Sequence, residues 1–517
     1  MKKETKILIL PLLLTTLLFS CSSNNQSSST STSINHPTNE PTSEVTNSSS
    51  DTNKNSKTID FYALNDLHGR ISEDHDAHEP GLAKMSTYLK DMKAKNPEGY
   101  VFLSTGDMWQ DTYESRTNNG FLITECLEAM ECETFTLGNH EFDWGVQNIL
   151  NNKALTKNTT ILCANVYNYP NEDEFANLGE KYKIIERKGV RIGIIGTIGS
   201  TQNTSITSSI WENLSFRETT KVVQDLSDEL RTEKDCDIVL WGTHANYASS
   251  DPYEVTAISP VSNKRYVDAV FNAHSHKLET FNVNDVPFVQ SGAHGKSLGH
   301  IQLSVDEEGN VTCEEFNSVG YNQMYRYEED PAIVNLINKY HDEEYFKNKD
   351  QVIGTLTSSK FKLNDLYAGS LLAKATYEMY KDQMKDVDII INNGARDDIK
   401  AGKQTRETIF NMLPFTNKTY IVRNIKGEDI INELKWNYYY KVDSSLVFEP
   451  NKYYTVASID YILLHKDENR NYNYFPSYKE ENIVSIIDDY CDKIVCDYLL
   501  KVGSVDESEF HNSHYKY

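Results

Sequence analysis

Five short polar clusters carry residue types that do chemistry: Asn65-Asp66-Leu67-His68-Gly69, Gly106-Asp107, Gly138-Asn139-His140-Glu141-Phe142-Asp143, Gly242-Thr243-His244 and Ala273-His274-Ser275-His276. Singly, each is ordinary. An Asp at a strand end is usually a turn or cap residue, and a lone His is usually structural. His274 and His276 are two apart, so at a strand end they point the same way. Jointly the clusters offer carboxylate, amide and imidazole donors after successive apolar runs. A carboxylate can bridge two cations, and imidazoles suit zinc-, manganese- or iron-class ions. Two cations about 3.5–4 Å apart clamp a phosphoryl group and lower the pKa of a shared water.

The elements that must position these clusters alternate in type. Ile59 to Leu64, Tyr100 to Leu103, Thr134 to Leu137, Ile161 to Ala164, Ile192 to Ile198, Ile238 to Trp241 and Val267 to Asn272 read as strands. Gly81 to Lys95 carries Leu82, Met85, Tyr88, Leu89 and Met92 at helical spacing, and Phe121 to Met130 is a second helix. Alternating strands and helices predict an α/β body. The polar clusters then fall beyond the carboxyl ends of strands, where open α/β sheets bind ligands. Gly309 turns a hairpin, Pro331 opens a helix through Phe346, and a second α/β region begins near Gln351.

The 517 residues suffice for two or three domains. With 51 basic against 76 acidic residues the formal charge is −25, which repels phosphate backbones and argues against nucleic-acid binding. Eight cysteines without a CxxC pair make neither a disulfide scaffold nor a zinc ribbon. Cys126 with Cys132, or Cys491 with Cys496, could pair or stay thiols.

Lys2, Lys3 and Lys6 precede an apolar run from Ile7 to Phe19. At about 1.5 Å per residue that run is too short for a bilayer core of about 30 Å and fits a signal peptide. It ends Leu18-Phe19-Ser20-Cys21, which resembles a bacterial lipobox and implies a lipid on Cys21. Residues 22–57 are rich in Ser, Thr and Asn and lack the apolar surface to fold. The expected organisation is a leader over 1–20, a tether over 21–57, a catalytic domain over 58–325, a linker helix over 326–350 and a substrate domain over 351–517. The expected location is the outer face of a bacterial membrane.

The order and spacing of the clusters resemble the calcineurin-like metallophosphoesterases, in particular the 5′-nucleotidase branch with its NDxHG, GDxxxG/D, GNHEFDxG, THxxN-like and GHxH motifs. The resemblance implies a four-layer β-sandwich flanked by helices, joined by a helix to a smaller α/β domain. It implies two divalent cations: Asp66, His68 and His276 at one, Asn139, His244 and His274 at the other, and Asp107 bridging. It makes His140 the residue beside the phosphate and Asp143 its orienting carboxylate. Ala273 departs from the family's Gly.

In the second half, Asn392-Asn393-Gly394-Ala395-Arg396 resembles a shortened NGGGIR, and Leu413-Pro414-Phe415-Thr416-Asn417 resembles LPFGN. Asn393, Arg396 and Phe415 are thereby implied in substrate binding, Phe415 by stacking on a base. The family's GGDGY/F loop has no counterpart in Asp467 to Tyr478, which leaves Tyr474 or Phe475 for the second stacking ring, with Phe475 the expected one. Tyr438 to Tyr440 reads as packing, His75 and His78 as a solvated acidic loop, and His294 and His300 as structural or near-site.

The expected function is a surface-anchored phosphohydrolase of extracellular nucleotides. A 2′,3′-cyclic-nucleotide phosphodiesterase or UDP-sugar hydrolase is the alternative on the same scaffold. A non-catalytic binding lipoprotein has no need of the full ligand set. The oligomeric state is not legible.

Overall fold

The computed structural model describes residues 56–341, 344–358, 362–363, 365–396, 399–467 and 469–511. The expected leader, Cys21 and the tether as far as residue 55 lie outside them.

Alternation decides the layers. Along the strand Lys57–Leu64, Ile59, Phe61 and Ala63 enter one core and Tyr62 and Leu64 another. The first core lies between two six-stranded sheets, where Ile59, Phe61, Val101 and Leu103 meet Ile192, Ile194, Leu240 and Phe271. The second packs the outer face of one sheet on the helices Gly81–Lys95 and Phe121–Ala129 through Leu82, Met85, Leu89 and Leu122. On the far side Ile195, Val239 and Trp241 meet Val223, Leu226 and Leu230 of the helix Thr219–Thr232. The result is helix, sheet, sheet, helix, each apolar face covered by the next layer.

Register brings the polar clusters to one edge. Lys57–Leu64, Tyr100–Ser104, Thr134–Thr136 and Thr160–Leu162 run parallel as neighbours. In the other sheet Val190–Ile198, Ile238–His244 and Ala269–Phe271 are likewise parallel neighbours. Ser297–Val305 and Val311–Gly320 form the antiparallel hairpin across Gly309. Asp66, Asp107, Asn139, His244 and His274 therefore all sit at or just beyond carboxyl ends of parallel strands.

The helix Pro331–His341 lies against the first region through Ile333, with Val334, Leu336 and Ile337 at its margin. The C-terminal region is built on a five-stranded sheet ordered Tyr438–Lys441, Ile389–Asn392, Tyr453–Ile459, Thr419–Lys426 and Ile483–Ile487. Tyr439 is buried in its core, and Tyr440 packs against it, as expected for packing residues. Cys126, Cys132, Cys491 and Cys496 are buried free thiols.

Candidate active site

Ligand-type atoms gather in three overlapping groups: Asp66, His68 and His276; His68, Asp107 and His140; and Asp107, His244 and His274. His68 Nε2 lies 2.8 Å from His276 Nε2, which is 3.5 Å from Asp66 Oδ1. Asp107 Oδ2 stands 3.0 Å from His244 Nε2 and 3.8 Å from His68 Nε2. Asn139 Oδ1 is 3.0 Å from His274 Nδ1. The two sheets are tied here, since the His274 amide donates to the Asp66 carboxylate at 3.0 Å.

These donors fit divalent cations. Burial holds His274 at about 3, His276 at about 4 and His68 well below the usual imidazole value. All three are thus neutral, the form that ligates metal. The buried His244 Nε2 stands 3.0 Å from Asp107 Oδ2, while its Nδ1 lies 2.9 Å from the Thr105 carbonyl and so carries the proton in the neutral ring. At His244 burial again disfavours charge, but the Asp107 and Asp66 carboxylates outweigh it and push the ring up to about 9. The carboxylates, the Asn139 amide oxygen and the neutral imidazoles thus converge as a set of donors of the kind that divalent cations take.

The backbone is bent to make this convergence. Asp66, His68, Asp107, His274 and His276 have φ of 49°, 52°, 55°, 75° and 57°. Left-handed backbone costs a non-glycine residue about 1–2 kcal/mol, and such strain concentrates at functional sites. Gly106 keeps the loops in contact, because a β-carbon there would lie 2.6 Å from the Gly138 amide nitrogen. Glu141, fully buried, clamps the same loops. Its carboxylate accepts from the amides of Gly138 at 2.7 Å, Asp107 and Met108 at 2.8 Å, and Trp109 at 3.2 Å. Sequence reasoning assigned Glu141 no role, although it stands inside the Gly138–Asp143 cluster.

His140 follows Asn139, and its Nδ1 lies 2.7 Å from Asp143 Oδ2. Burial works against charge on His140, but Asp143 and Asp107 outweigh it and push the ring up to about 9. The contact with Asp143 thus favours the charged form of the ring.

A pocket of about 270 Å³ opens beside these groups. Asn139, His140, Asp143 and His274 form one wall, and Asn393, Arg396, Phe415 and Tyr461 the other. Arg396 reaches furthest in: its Nη2 is 3.3 Å from His68 Nδ1 and 3.5 Å from His140 Nε2. Phe475 is not in this pocket. It is fully buried in the C-terminal core, held among apolar neighbours, so the assignment of Phe475 to the substrate is corrected. Tyr474 is also absent from the pocket wall and stacks on His465 at 4.1 Å. The second aromatic of the wall is Tyr461, two residues beyond the strand Tyr453–Ile459. That strand-end position was the available signal, whereas the expected ring lay further along, in Asp467 to Tyr478.

The remaining histidines sort by contact. His75 meets the Tyr321 hydroxyl. His294 lies near the site, its ring 5.7 Å from His68 and 5.8 Å from His276. His300 is structural, stacked on Tyr62 and 2.9 Å from Asp60 Oδ1.

Residues 59–278 match the calcineurin-like phosphoesterase family. The 5′-nucleotidase of Bos taurus is 26% identical over 413 residues, covering 71% of this chain and 69% of its own. The human 5′-nucleotidase is also 26% identical, over 414 residues, with the same coverage of 71% and 69%. Among solved structures, the 5′-nucleotidase precursor of Thermus thermophilus superimposes with a TM-score of 0.69 at 18% identity, covering 87% of this chain and 97% of that one.

Proposed function

We propose that this chain, a metal-dependent phosphoester hydrolase of the 5′-nucleotidase family, removes phosphate from nucleotides at the junction of its two regions. One observation carries the reading: the pocket that includes Asn139 and His274 also includes Arg396 and the half-buried ring of Phe415. Metal ligands, an anion fork and an aromatic face thus share one space. In the proposed division, residues 58–325 supply the chemistry, 326–350 link, and 351–517 select the substrate.

Asp66, His68 and His276 would hold one divalent cation, and Asn139, His244 and His274 a second, with Asp107 between. Bound there, the pair would clamp the phosphoryl group and acidify an attacking water. His140, kept charged by Asp143, stabilises negative charge developing on the phosphoryl oxygens. Asp143 fixes the imidazole through Nδ1 and leaves Nε2 toward the pocket. The Arg396 guanidinium matches phosphate oxygens with paired N–H groups. Phe415 and Tyr461 present faces on which a nucleobase stacks. The basic start, short apolar run and Cys21 support export and lipid anchoring at the outer face of a bacterial membrane, where the substrates are extracellular nucleotides.

A phosphate-release screen over nucleoside monophosphates, diphosphates, cyclic nucleotides and UDP-sugars tests the reading, with metal-stripped protein as control. Release from a nucleoside monophosphate that stops on stripping and returns with added divalent metal is expected. Release from none of these, or undiminished release by stripped protein, overturns it.

A further inference from the structure

We propose that Asp111 is a positioning residue that fixes the Arg396 fork at the phosphate position; this rests on the reading of Arg396 as a phosphate contact. Asp111 lies in the loop after the strand Tyr100–Ser104, and Arg396 follows Ile389–Asn392 of the C-terminal sheet. Asp111 Oδ2 accepts from Arg396 Nε at 2.5 Å. The Arg396 amide donates to the Met412 carbonyl at 3.0 Å, so both ends of the residue are held. With Nε engaged, Nη2 is turned toward His140 Nε2 at 3.5 Å, where phosphate oxygens would arrive.

The backbone and the burial at this position do not themselves favour an aspartate. Its φ is 120°, in the region that glycine adopts at little cost. Its carboxylate is 3% exposed, and Oδ1 has no hydrogen-bond partner among the described residues. Burying half a carboxylate unpaired is unfavourable. A glycine would remove both the strain and the unpaired oxygen. What the aspartate adds is the charge-assisted bond to Arg396, together with an approach of Oδ2 to His68 Nδ1 at 3.2 Å.

The test uses the full, metal-loaded chain with Asp111→Gly, Asp111→Asn, Arg396→Ala and the double variant Asp111→Gly/Arg396→Ala. Inorganic phosphate binding by calorimetry, nucleotide kinetics, metal content and Tm are measured on each. Asp111→Gly should weaken phosphate binding by about tenfold or more, while Tm reports the balance between relieved backbone strain and the buried ion pair lost with Arg396. KM should rise more than kcat falls, and Asp111→Asn, which keeps one acceptor, should lose less. In the Arg396→Ala background Asp111→Gly should have no further effect, as for residues acting through one contact. Unchanged phosphate affinity in Asp111→Gly overturns the proposal, as does the same loss repeated on top of Arg396→Ala. Metal lost together with phosphate affinity also overturns it, by assigning Asp111 to His68. A parent that binds phosphate in an Asp111-dependent way yet hydrolyses no nucleotide sustains this proposal while refuting the nucleotidase reading. A parent that binds no phosphate overturns both.

Discussion

The Thr416 hydroxyl donates to the backbone carbonyl of Asp143 over 3.1 Å. The residue beside the Phe415 ring is thus bonded to the residue that orients His140. Gln110 Nε2 makes a parallel contact to the Pro414 carbonyl at 3.0 Å. These two contacts hold the segment that carries Phe415 against the loops that carry His140 and Asp107.

Phe415→Ala should impair nucleotide hydrolysis and spare a small artificial phosphate ester. Stacking of a base on an aromatic ring contributes roughly 1–3 kcal/mol, so kcat/KM for the nucleotide should fall about 5- to 150-fold. Tyr461→Ala should behave alike. Phe475→Ala should instead lower stability by about 3–5 kcal/mol and leave KM of the folded enzyme unchanged. Kinetics on both substrates and chemical denaturation separate these outcomes, and a specific KM effect in Phe475→Ala would restore it to the site.

Glu141→Gln should destabilise the protein and weaken metal binding. The amide NH₂ that replaces one carboxylate oxygen meets N–H donors where an acceptor stood, at a cost of about 1–3 kcal/mol per unmet group. Denaturation midpoints and metal analysis check this. A variant as stable and as metal-rich as the parent would mean that the clamp on the Gly106 and Gly138 loops is dispensable.

Glu433 predicts a pH dependence of stability away from the active site. Burial, helped by Asp429, pushes its carboxyl from 4.5 up to about 7, against the Asn437 hydrogen bond that favours the charged form. Between those values the folded chain keeps a proton that the unfolded chain has released. Stability from this group is full below about 4.5 and is lost as pH rises through about 7. Tm of the parent should fall across that window relative to Glu433→Gln, and parallel Tm profiles would contradict the assignment.

Cys21→Ala should leave activity intact and release the protein from the membrane fraction. Continued tight membrane association on fractionation would favour an uncleaved leader.

The candidate ligand cluster was legible because its residue types are rare in combination and each follows an apolar strand; strand register brings Asp66, Asp107, Asn139, His244 and His274 to one edge. The left-handed backbone beneath five of the candidate ligands was not legible, since no residue type announces it where glycine is absent. Phe475 was misplaced because an aromatic ring satisfies a core and a base pocket equally well. Only the packing shows that Phe475 fills the core and Tyr461 lines the pocket. Asp111 and Glu141 were missed because Arg396, and for Glu141 the amides of Asp107, Met108 and Trp109, are distant in sequence.

In the proposed mechanism one carboxylate, Asp107, joins the two cations that do the hydrolysis. Metal stoichiometry and nucleotide turnover, measured on the same preparations of parent and Asp107→Asn, test it most directly. The account predicts two bound divalent ions and turnover in the parent, with weakened binding of both ions and no turnover in the variant. Two tightly bound ions and normal turnover in Asp107→Asn would contradict it.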